Sequence, residues 1–101
     1  AWNNNAESDK ESSTGIIGDS KIMVGSSKTY KCNGIEPNLL EWTIDTNNNS
    51  LLTTTVNSKN ELIVTISTSV KYVGQGFTII AKDKSTGAIY DSLQVEVKGF
   101  Y

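Results

Sequence analysis

From Ile16 onward the apolar residues of this chain recur at every second position, in short runs broken by Gly, Asn, Asp, Ser and Thr. That is the period of a strand with one buried face. "LEWTID" is the cleanest instance, with Leu40, Trp42 and Ile44 on one side and Glu41, Thr43 and Asp45 on the other. "IIGDSKIMVGSS" predicts a first strand split around residues 18–20, after which Ile22 and Val24 share a face and Gly25 marks a turn. "KTYKCN" directs Tyr30 and Cys32 inward, "LLTTTV" is a short run of high β-propensity, and "ELIVTIST" directs Leu62, Val64 and Ile66 inward. "FTIIAKD" does the same with Phe77, Ile79 and Ala81, and "YDSLQVEVKG" with Leu93, Val95 and Val97. Between these runs Asn33-Gly34 turns the chain and Pro37 withholds a ladder donor. "TNNNS" and "NSKN" are polar loops, "KYVGQG" is a glycine-rich corner and "KSTGA" closes a hairpin.

No segment keeps the i, i+3, i+4 spacing of an amphipathic helix for three turns. The pattern therefore predicts an all-β domain, an antiparallel β-sandwich of about seven strands at intervals of roughly ten residues. Residues 1–15, "AWNNNAESDKESSTG", are polar and aperiodic apart from Trp2, and read as a flexible polar linker ahead of a folded domain over 16–101.

Composition narrows the function classes. At 101 residues the chain has the size of one domain and can bury a core without metal or disulfide. The net charge is −2, there is no Arg, and the nine Lys are scattered, so the concentrated positive charge that neutralises phosphates is missing and no nucleic-acid partner is expected. No apolar run reaches the length of a membrane span, so no membrane partner is expected either. The absence of His removes the commonest general base and zinc ligand. Cys32, the only cysteine, excludes an intrachain disulfide and a multi-thiolate metal site, and its place on an apolar face predicts an inert buried thiol. No cofactor is expected.

Candidate chemistry is sparse. Glu41 and Asp45 share one side of a strand, but no apolar neighbour in sequence would raise either pKa, so they read as a solvated face and the chain as no enzyme. The loop from Asp45 to Ser50 lacks the sixth-position glycine of a calcium loop and has Val56 where the twelfth-position carboxylate would stand. Aromatic side chains near strand ends or termini are the candidate binding residues: Trp2, Tyr72, Tyr90 and Tyr101, with Phe100 beside the last.

The order of these segments resembles an immunoglobulin-like domain. "IIGDSKIMVGSSKTYKC" is similar to the opening strands of bacterial and phage modules of that class, "EWTID" to the third strand with Trp42 as the core tryptophan, and "YVGQGFTIIAKD" to the turn and sixth strand. The resemblance implies an immunoglobulin-like sandwich in which Phe77 is the corner aromatic and Ile79 stands where a second cysteine would be. Cys32 and Ile79 would then pack across Trp42 in place of a disulfide. Within the class the chain looks most like domains appended to tailed-bacteriophage virion proteins, in the neck or tail. This implies a non-catalytic accessory module located on the virion that either adheres weakly to host-surface carbohydrate or packs against other virion subunits. A spacer or binding domain of a bacterial surface adhesin or extracellular enzyme is the alternative.

Overall fold

The computed structural model describes residues 14–99, which form eight strands and no α-helix. They are β1 (Gly15–Ile17), β2 (Lys21–Met23), β3 (Ser27–Asn33), β4 (Leu40–Asp45), β5 (Leu52–Val56), β6 (Leu62–Ile66), β7 (Gly76–Asp83) and β8 (Ile89–Lys98). Single 3-10 turns at Pro37–Leu39 and Val70–Tyr72 lead into β4 and towards β7. The strands make two four-stranded sheets, ordered β1-β3-β6-β5 and β2-β8-β7-β4.

The split foreseen in the first strand separates the sheets. β1 pairs antiparallel with β3, whereas β2 pairs parallel with β8 in the other sheet. The fold therefore has one strand more than the expected seven, and one parallel pair in an otherwise antiparallel ladder. Crossing between sheets requires the chain to pass close over the core, and Gly18 permits it: a Cβ there would run into the Tyr30 ring. The Tyr30 hydroxyl donates to the Asp19 carbonyl at 2.7 Å, and Lys28 pairs with the Asp19 carboxylate at 3.0 Å, so β3 holds the crossing in place. On the other side, Asp91 of β8 accepts a hydrogen bond from the Ile16 N–H at 2.7 Å and ties β1 to the opposite sheet.

The inward residues are the ones the alternation selects. Ile22, Val24, Tyr30, Leu62, Val64, Ile66, Phe77, Ile79, Val95 and Val97 are buried in one cluster, against which Trp42, Ile44 and Leu93 pack. Tyr30, not Cys32, is the fully enclosed side chain of β3. Cys32 shares its face but lies half-buried outside the cluster that holds both Tyr30 and Ile79. Burial, then the nearby Asp91 carboxylate, pushes the Cys32 thiol up to about 11, which leaves it a poor nucleophile.

Turns are set by side chains bonded to their own backbone. Asn57 accepts from the N–H groups of Lys59 and Glu61 and closes the β5–β6 hairpin. Asp83 accepts from the Ser85 hydroxyl and from the amides of Ser85 and Thr86, contacts that hold its carboxyl below the usual value.

Candidate functional site

The outer face of the β2-β8-β7-β4 sheet carries an open hollow of about 520 Å³. Register explains its position. Lys21, Glu96 and Gly76 face one another across β2, β8 and β7, and Gln94, Thr78 and Asp45 do so in the next row across β8, β7 and β4. Their neighbours Ile22, Val95 and Phe77 are buried, so strand alternation turns these two rows outward. Gly76 has no side chain and leaves the β7 position of its row open, between Glu96 on β8 and the loop that follows β4, with Thr78 beside it on β7.

The rim beyond β4 is the loop that begins at Thr46 and Asn47, and it is stiffened from within. The Thr46 hydroxyl donates to the Asn48 carbonyl and accepts from the Asn48 N–H, both at 3.2 Å, and Asn48 Oδ1 accepts from the Ser50 N–H at 3.0 Å. On the opposite rim the Ser20 carbonyl accepts from the Glu96 N–H at 2.9 Å. Among the described residues no side chain hydrogen-bonds or pairs with Lys21, Asp45, Asn47, Thr78 or Gln94, and Glu96 has only the loose contact with Lys98 at 3.9 Å. The hollow thus presents the Lys21 ammonium, the Asn47 and Gln94 amides, the Thr78 hydroxyl and the Asp45 carboxylate without side-chain partners, and the Glu96 carboxylate only loosely paired. Such a set can hydrogen-bond a hydroxyl-rich ligand but offers no exposed aromatic ring for stacking, since Phe77 is buried.

The aromatic residues singled out in the sequence are not brought together here. Tyr72 is 4% exposed and belongs to the core, with Lys71 Nζ 5.2 Å from its ring centroid. Its candidacy as a surface anchor is therefore corrected: the 3-10 turn at Val70–Tyr72 breaks the alternation and carries the ring inward. Tyr90 is 39% exposed, but its hydroxyl lies against Gly34, where a Cβ would collide with it, roughly 20 Å along β8 from Glu96. Trp2 and Tyr101, with Phe100, lie outside the described residues. Of the carboxylate pair on β4, Asp45 stands on the rim of the hollow and Glu41 faces Lys82 across the ladder, away from it. No group of three or more Cys, Asp or Glu among the described residues is placed to hold a metal ion.

Sequence reasoning missed Lys21, Asn47, Thr78, Gln94 and Glu96. Each is an ordinary outward polar position, and their convergence depends on the β2–β8 pairing. The one local signal was a glycine, Gly76, at an outward strand position where a side chain would ordinarily stand. No protein-family model matches this chain, and comparison with curated proteins gives no match.

Proposed function

We propose that this is an immunoglobulin-like, non-catalytic accessory domain of a bacteriophage virion structural protein, and that it adheres weakly to host-surface glycans through the hollow on its β2-β8-β7-β4 sheet. The immunoglobulin-like reading is supported by the strand order, with the first strand divided between the sheets and Trp42 packed against the core from β4. The uncommitted donors and acceptors around the hollow carry the adhesion reading. A glycan can be met there by hydrogen bonds from Lys21, Asn47 and Gln94 and by acceptance at Asp45 and Glu96. Without ring stacking each contact is weak, so useful adhesion comes from display in many copies.

The test is co-sedimentation of the fluorescently labelled protein, as single molecules and linked into a multivalent array, with bacterial cells and purified cell-wall polysaccharides. Saturable binding by the array, lost in the Gln94→Ala and Asn47→Ala variants, is the expected result. An array that binds no cell type or polysaccharide overturns the reading.

A further inference from the structure

Sheet ends expose unpaired backbone groups, and proteins usually blunt them with charge, proline, bulges or short strands. Three of the four end strands here are protected in this way. β1 and β2 are three residues long, and β4 carries Glu41 and Asp45. β5 is the exception: Leu52–Val56 is five residues, "LTTTV", with no charge, no proline and no register shift against β6.

The ladder determines which of its groups are free. Ser67 N–H donates to Leu51 O at 2.9 Å and Asn57 N–H to Glu61 O at 3.1 Å, which makes the odd-numbered positions of β5 the hydrogen-bonded ones against β6. On β6 the Ile66 N–H donates instead to Ser26 O, next to β3, in agreement with that phase. The N–H and C=O groups of Leu52, Thr54 and Val56 therefore point out of the sheet end. Thr54 and Val56 are exposed, Val56 to 54%.

We propose that β5 is a self-association edge, at which a second copy of this chain pairs antiparallel about a two-fold axis at Thr54. In that register Leu52 faces the partner's Val56, Thr54 faces the partner's Thr54, and each facing pair exchanges two hydrogen bonds. Every outward backbone group of the strand is then satisfied. Side chains agree with this: Val56 is covered by the partner's Leu52, and Thr53 lies beside the partner's Thr55, both favourable cross-strand combinations. Charge selects the occupant. No like charges meet in the paired strands, because Leu52–Val56 carries none, and an uncharged strand offers nothing to attract a charged foreign segment. The pairing joins the two β1-β3-β6-β5 sheets into one of eight strands and is isologous, so it closes at two copies. It holds whatever the hollow binds.

The test is sedimentation equilibrium of the whole chain across a wide concentration range, with amide hydrogen exchange measured in parallel. A concentration-dependent dimer is expected, in which exchange at Leu52, Thr54 and Val56 slows while Thr53 and Thr55, already bonded to β6, do not change. Thr54→Lys sets like charges opposite each other on the axis, and Thr54→Pro removes an N–H that the monomer does not use; both are expected to abolish the dimer. Thr29→Lys, away from the sheet end, is expected to keep it. Far-UV circular dichroism confirms that each variant is folded. A chain that stays monomeric at millimolar concentration, or a dimer that survives both Thr54 variants, overturns the proposal.

Discussion

Asn60 ties the β5–β6 turn to the segment that enters β4. It has φ 59°, a left-handed conformation that Asn tolerates better than most residues. Its side-chain amide donates to the carbonyls of Pro37 at 2.7 Å and Leu40 at 2.9 Å, and its own carbonyl accepts from Trp42 Nε1 at 2.9 Å. One residue in the β5–β6 turn thereby anchors the entry to β4 and orients the indole against the core. The two contributions separate by mutation. Asn60→Gly keeps the backbone conformation and loses both amide bonds, which costs about 1–3 kcal/mol. Asn60→Ala loses the bonds and adds left-handed strain of about 1 kcal/mol more. Urea denaturation midpoints should fall in the order wild type, Gly variant, Ala variant; equal midpoints for the two variants would show that the backbone conformation carries no strain.

At the level of elements, the crossing from β1 to β2 places the first strand in both sheets. Gly18→Ala puts a methyl group against the Tyr30 ring, and because Tyr30 is enclosed and bonded to Asp19 the ring has little room to yield. Overpacking of this kind costs about 1–3 kcal/mol. A urea midpoint lowered by Gly18→Ala in the wild-type background but hardly changed by it in a Tyr30→Leu background would locate the cost at that contact. The break at residues 18–20 was visible in the sequence because Gly and Ser interrupt the alternation, and β4 was readable to its ends because Leu40 to Asp45 alternate without a fault. Which strand β2 joins was not visible, since a period of two reports a buried face and says nothing about the neighbour. Tyr72 was misjudged for a related reason: its corner has no period, so only the 3-10 turn decides which way the ring points. Cys32 was assigned the correct face, but the alternation does not say how far along β3 the core extends. The hollow was hidden most completely, because its rows combine β2, β4, β7 and β8, and a missing side chain at Gly76 opens it.

For the whole molecule, stability rests on packing between the sheets, because a single cysteine leaves no intrachain covalent link. Two groups, Tyr30 inside that packing and Cys32 at its margin, resist ionisation. Burial, assisted by the Asp19 charge, pushes the Tyr30 hydroxyl from 10.0 up to about 12, and burial with Asp91 pushes the Cys32 thiol from 9.0 up to about 11. In the unfolded chain both release their protons at the lower values. The stabilisation from keeping them neutral is therefore fully present below pH 9 and is lost as pH rises, first for Cys32 between 9 and 11 and then for Tyr30 between 10 and 12. For the enclosed Tyr30 this amounts to about 2–3 kcal/mol. The expected profile of urea midpoint against pH is flat from 7 to 9 and falls steeply above it. Tyr30→Phe loses the bond to Asp19, so it starts lower at pH 7 by about 1 kcal/mol, but its decline above pH 10 is shallower. Cys32→Ala removes the earlier part of the fall. A wild-type midpoint that is level through pH 11, or a Tyr30→Phe profile parallel to wild type above pH 10, would mean that these two groups do not set the alkaline limit of the fold.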